Sequence, residues 1–185
     1  MSSFAAAPLN RRDGLPRLGF VFVALLALAV LSRVLPHPPN FTALDAIAIY
    51  AGLRLADGRA AFLLPLLAML IADACFLGFH STLPVIYGCM AFTVLLGRLA
   101  RGKGKAATAL AGFTGATVFF IASNVAVWWG SGMYGHDLAG LGLCFSAALP
   151  FYQWTLAGLV TYGALLWALD AAALRVAPRL GFQPV

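Results

Sequence analysis

The chain has 185 residues, of which 62% are hydrophobic and 10% charged, and its mean hydropathy is +0.92. Soluble domains carry roughly 25% charged residues, so this balance excludes an ordinary soluble domain and points to an integral membrane protein. The net charge of +6 does not describe a nucleic-acid surface, because the basic residues flank apolar runs and have no aromatic platform among them.

Residues 1–17 read as a short polar leader. Six apolar runs follow, Leu18–Leu35, Phe41–Leu55, Ala60–Phe79, Leu83–Leu99, Ala106–Trp129 and Leu149–Ala173. They predict an all-α bundle of six transmembrane helices over 18–175, with 176–185 as a tail. The first run also has the basic leader of a signal peptide, but Ala27 and Ala29 lie inside it rather than after it, so a retained span is the better reading. Pro36-His37-Pro38-Pro39 cannot continue a helix, and Asn40 or Thr42 is then positioned to cap the second run. Arg54, Asp57, Gly58 and Arg59 make a tight turn, and Ser81 or Thr82 precedes Pro84 as a cap for the fourth run. Leu138–Ala148 is apolar but too short to span. It is expected to be a re-entrant or interfacial helix that Pro150 separates from the last run.

Alternating these runs across a bilayer puts Arg11, Arg12, Arg17, Arg54, Arg59, Arg98, Arg101, Lys103, Lys105, Arg175 and Arg179 on one side and only Arg33 on the other. Lys and Arg in short loops stay cytoplasmic, so both termini are expected there, in a bacterial inner membrane. Small residues at Ala68 and Ala72, and at Ala111 and Gly115, suit close packing of helices within the bundle. Cys75, Cys89 and Cys144 are too scattered for a disulfide framework or a thiolate zinc site.

The polar residues within the runs carry the functional reading. An ionisable group in hydrocarbon costs about 2.5–3.5 kcal/mol on insertion scales, so it faces a partner or a cavity. Asp45 lies about 6 Å and Asp73 about 9 Å below the outer ends of their runs, at 1.5 Å per residue. Tyr87, Cys89, Ser123 and Asn124 sit at similar depth. Asp73, Phe76, Leu77 and His80 share one helical face, and Asn124, Trp128 and Ser131 share another. If both faces point inward, they make a small-molecule site beneath the outer loops, with His37 and Tyr134 in the loops above. The plainer alternative keeps Asp73 as an acceptor for Tyr87 or Asn124, holding helices together. A metal held by His37, His80 and His136 is a further alternative, although no short-range ligand spacing marks one. No motif pairs a nucleophile with a base and no phosphate-binding loop is present, so the residues do not indicate an enzyme, and no cofactor is called for.

The stretch Leu35-Pro36-His37-Pro38-Pro39-Asn40-Phe41-Thr42, then Asp73 with Gly78-Phe79-His80, Tyr87-Gly88, Ser123-Asn124, Trp128, Tyr134 and Ala147-Ala148-Leu149-Pro150-Phe151, resembles a family of uncharacterised six-span bacterial membrane proteins. That family is similar to the substrate-binding S components of energy-coupling factor vitamin transporters. The resemblance implies a binding subunit for a vitamin-like molecule or metal complex, working with an ATPase-driven coupling module. Cobalamin is the ligand it brings forward, with Cys75 or Cys89 as the thiolate facing cobalt. The Ala-x-x-x-Ala contact motif of the first helix is not made by Ala24, Ala27 and Ala29. A metal-dependent membrane enzyme and a non-catalytic membrane scaffold are the competing expectations. Asp73, His80, Asn124, Trp128, Tyr87 and Asp45 are the expected ligand contacts.

Overall fold

A computed structural model describes the backbone of residues 15–176 and the side chains of residues 19–172. The expected leader and tail therefore fall almost wholly outside the described residues. Within them the chain forms six α-helices: α1 (Leu15–Val34), α2 (Leu44–Arg54), α3 (Gly58–Ala72), α4 (Leu83–Ala100), α5 (Lys105–Gly130) and α6 (Leu138–Val176). Four segments are long and apolar enough to cross a membrane: Gly58–Leu77, Leu83–Ala100, Lys105–Gly130 and Leu138–Ala172. The apolar part of α1, Gly19–Val34, is shorter, and α2 has only 11 residues.

The short helix is the centre of the molecule. Leu44 through Ile49, Ala51 and Gly52 are all buried, so α2 is enclosed on every face by the other helices. Its contact with α4 is backbone against backbone. A Cβ at Gly97 would stand 2.5 Å from the Ile49 carbonyl oxygen, and one at Gly52 would strike the Val94 carbonyl. On α5, Gly115 makes room for the Thr93 side chain of α4, whose hydroxyl would stand 2.8 Å from a Cβ there. Small residues set these distances because a lipid-embedded helix gains its association energy from close packing rather than from water exclusion. Ala68 and Ala72 on α3 are also fully buried.

Chain breaks occur where the backbone demands them. After Pro36, Pro38 and Pro39, Asn40 takes a left-handed φ of 66°. Neither Asn40 nor Thr42 then caps α2, contrary to expectation: Ala43 is the N-cap and no side chain caps it from within. The Ala43 amide donates instead to Ser32 Oγ at 3.0 Å, and Ser32 donates to the Ala29 carbonyl, tying the start of α2 to α1. Asp57 caps α3 by accepting from the Arg59 amide at 2.9 Å. Thr82 stands before α4, but its hydroxyl bonds His80 rather than the helix.

Two elements differ from the sequence reading. The expected break at Pro150 is not there: Leu138–Val176 is one 39-residue helix with Pro150 inside it. Proline removes one amide donor and kinks a helix, yet apolar helix formers on both sides carry this one through. At about 58 Å, it is nearly twice the hydrocarbon thickness of about 30 Å. The second difference is at the end of α3, where Asp73–Leu77 widens into a π turn. The Gly78 amide donates to the Asp73 carbonyl at 2.7 Å, and Gly78, at φ 82°, ends the helix.

The outer surface of α5 and α6 is apolar. Leu110, Phe113 and Ile121 on α5, and Leu143, Val160 and Leu169 on α6, are all exposed. Such a surface suits hydrocarbon rather than water.

Candidate functional site

The end of the bundle away from the basic loops is organised around Asp73, at the start of the π turn. It is only 1% exposed. Arg33, at the end of α1, reaches its Oδ1 at 2.8 Å, and the Tyr87 hydroxyl on α4 donates to its Oδ2 at 2.9 Å. A second guanidinium nitrogen of Arg33 donates to the Met69 carbonyl at 3.3 Å. The single arginine that breaks the charge asymmetry is thus the counter-ion of the deepest carboxylate. Sequence reasoning assigned Arg33 no role in a site, although a lone cation and a lone acid at one membrane depth are a pair worth testing.

Asn124 does not join this cluster. Its side-chain amide donates to the Phe120 carbonyl at 2.7 Å, and its own carbonyl accepts from Cys144 Sγ. Trp128 donates to the Gly135 carbonyl at 2.8 Å, and the Trp129 ring stacks on His136 with centroids 5.5 Å apart. The expected face of Asp73, Phe76, Leu77 and His80 is broken by the π turn. Asp73 is buried while Phe76, Leu77 and His80 are exposed, because a wider turn rotates the following residues out of α register. The expected meeting of α3, α4 and α5 side chains is therefore a meeting of α1, α3 and α4.

The three histidines stay apart. His37 folds onto its own loop, with Nδ1 2.7 Å from the Pro38 carbonyl and Nε2 3.3 Å from that of Arg33. His80 Nδ1 bonds Thr82, and His136 lies in the tryptophan stack. Among the described residues no three His, Cys, Asp or Glu side chains come together as a metal-holding group. Cys75 is exposed on the π turn and Cys89 is buried in α4. Tyr134 is half-buried in the last outer loop.

Asp45 is where the outer polar layer holds a cavity. It lies in the first turn of α2, is 6% exposed, and its Oδ1 has no hydrogen-bond partner. Beside it is a chamber of about 150 Å³, walled by the polar residues Arg33, Asn40, Thr42 and Thr155 and closed by Met69, Ile86, Met90 and Phe119. The depth follows from chain length. A helix of 11 residues rises about 16 Å, half the hydrocarbon thickness, so the N-terminal end of α2 stops inside the bundle. Phe41 and Thr42 descend to meet it. A Cβ at Gly158, within α6, would sit 2.8 Å from the Thr42 carbonyl oxygen. A buried half-helix with a chamber at its N-terminus is a recurrent way to build a solute site within a membrane protein.

The opposite end carries a second cluster of the same composition. Arg54 pairs with Asp170, and the Tyr50 hydroxyl donates to the other Asp170 oxygen at 3.1 Å, linking α2 to α6. Nearby, Arg101 donates to the Gly52 and Leu55 carbonyls at 2.7 Å, closing the C-terminal end of α2.

Long apolar helices and a lipid-compatible surface define a membrane-embedded helical protein. Within that class, the chain belongs to a family of unknown function, DUF6580, whose profile matches residues 16–180. Neither a curated protein nor a solved structure matches it.

Proposed function

We propose that this protein is a membrane substrate-binding subunit that takes up a small solute through the chamber beside Asp45. The observation that carries the reading is the unpartnered Asp45 oxygen, buried at the N-terminal end of a half-helix and opening onto a space lined by Asn40, Thr42 and Thr155. Leaving a buried acceptor unpaired costs about 1–3 kcal/mol, a cost that a bound donor removes. The complementary guest is a compact molecule with a hydroxyl or amine donor on an apolar body, since apart from Arg33, which is paired with Asp73, the remaining walls are thioether, aliphatic and aromatic. Drug-sized ligands occupy about 300–1,000 Å³. A chamber of about 150 Å³ suits a smaller guest. Cobalamin is far larger, so it is not the ligand we favour.

In this reading six helical segments lie in an inner membrane and both termini are cytoplasmic, in line with the basic residues gathered at one end. The likeness to S components supports an ATPase-driven coupling module as partner. The test is mass spectrometry of small molecules released from gently solubilised protein. A solute present at near one per chain in the native protein and lost from Asp45→Asn is the expected result. Equal retention by that variant would remove the site.

A second reading, a scaffold whose polar groups only hold helices together, is favoured by Asp73, which accepts a hydrogen bond from Tyr87 and ion-pairs with Arg33 inside the bundle. It predicts that no solute is ever released, while Asp73→Asn still lowers thermal stability.

A further inference from the structure

A larger cavity than the Asp45 chamber lies at the basic end. It is a groove of about 440 Å³ between α2, α5 and α6, with Leu53, Ala109, Gly112, Phe113, Leu159 and Gly163 among its walls. We propose that this groove binds one anionic phospholipid, with an acyl chain along the groove and the headgroup phosphate at Lys105.

Three observations favour that occupant. The groove opens between the two spanning segments least buried by the rest of the bundle, whose exposed side chains are mostly apolar and where hydrocarbon chains are the surrounding solvent. Its length matches one leaflet: Lys105 to Phe113 along α5 spans about 12 Å, and Leu156 to Trp167 along α6 about 16 Å, against about 15 Å for half the hydrocarbon core. Its polar groups sit at one end. The Lys105 amine lies 5.7 Å from the Trp167 ring centroid, and among the described residues no carboxylate pairs with it. The Tyr50 hydroxyl at the same end is already engaged by Asp170. An apolar channel with one uncompensated cation at its interfacial end is complementary to a lipid with a negative headgroup. An ammonium there, with no anion, has only the indole face as a partner.

The groove is concave because small residues form its floor. No atom outside its own helix neighbourhood lies within 4 Å of a Cβ built at Gly163. A larger side chain there fills the groove without clashing with the fold, and replacing glycine within a helix also favours the helix.

The experiment uses the full chain in mild detergent micelles doped with phosphatidylglycerol or phosphatidylcholine, with retained lipid counted by native mass spectrometry. The expected result is one retained lipid per chain with about a fivefold preference for phosphatidylglycerol, the worth of one basic residue near an anionic leaflet. Lys105→Gln should abolish the preference while still retaining lipid. Gly163→Leu should lose retention of both lipids without lowering the melting temperature. Equal retention of the two lipids by the native chain overturns the proposal, as does unchanged retention by Gly163→Leu. Release of the lipid by water-soluble glycerol phosphate would mark a phosphate site rather than a lipid one. A dimer that holds no lipid, with the groove protected from labelling, would assign the groove to a second copy. Asp45→Asn should leave lipid retention unchanged, so the proposal stands or falls separately from the solute site.

Discussion

The two ends of this molecule hold the same three residue types in different surroundings. At the end away from the basic loops Arg33, Asp73 and Tyr87 join α1, α3 and α4; at the basic end Arg54, Asp170 and Tyr50 join α2 and α6. Side-chain exposure separates them: 15% and 1% for Arg33 and Asp73, against 23% and 24% for Arg54 and Asp170. The same chemistry therefore carries different weight. A charge buried without a counter-ion has nowhere to go, whereas one near the surface can turn to water or to a lipid headgroup. Asp45 sharpens the contrast: each acid has one buried oxygen without a hydrogen bond, but that of Asp73 lies 2.8 Å from the Arg33 guanidinium, whereas Asp45 is in no ion pair among the described residues. A carboxylate with a cation against it holds structure; one without a counter-ion invites a ligand.

Breaking the Arg33–Asp73 pair should have the largest effect. Arg33→Ala or Asp73→Ala is expected to cost about 3–5 kcal/mol, measured by unfolding in detergent, because each leaves an uncompensated buried charge. Replacing both together, as Arg33→Met with Asp73→Leu, should recover most of the loss. If the double variant is no better than the singles, the pair is not a closed unit. Next comes the α2–α4 crossing. Gly97→Leu forces two backbones apart and should cost about 3 kcal/mol or more by the same assay, at the upper end of overpacking effects.

Asp45 should respond with the opposite sign. Asp45→Leu removes an unpaired buried acceptor and is expected to raise stability by about 1–3 kcal/mol while abolishing solute retention. A loss of stability there would show that Asp45 is engaged and would merge it with the Asp73 class. The smallest effect belongs to the basic end, where Arg54→Ala should cost about 1 kcal/mol, near the top of the range for exposed pairs. That cost should shrink as salt is raised, since exposed pairs are screened. A loss comparable to that of Arg33→Ala would erase the distinction between the two ends.

Much of the site was legible as a list and illegible as a set of contacts. Insertion cost alone singled out Asp45, Asp73 and Tyr87, because acids in an apolar run demand a partner. Tyr87 was readable as a donor to Asp73, whereas the Arg33 counter-ion was not. Helical spacing placed His80 with Asp73, but the π turn at Asp73–Leu77 changes the register by a residue, and no local pattern announced it. Spacing also set Asn124 and Trp128 inward, yet both satisfy themselves on nearby carbonyls, a choice that a polar side chain on a helix can always make.

By itself the sequence determined the apolar helical segments, the chain break at the Pro36–Pro39 stretch, and the gathering of basic residues at one end, because hydrophobic length, missing amide donors and loop charge act locally. Tertiary structure alone decided that α2 is an enclosed half-helix, that Arg33 neutralises Asp73, and that α6 runs unbroken through Pro150. Each of these depends on what a distant segment brings within a few ångströms, and pairwise contacts between helices leave no periodic trace in the chain.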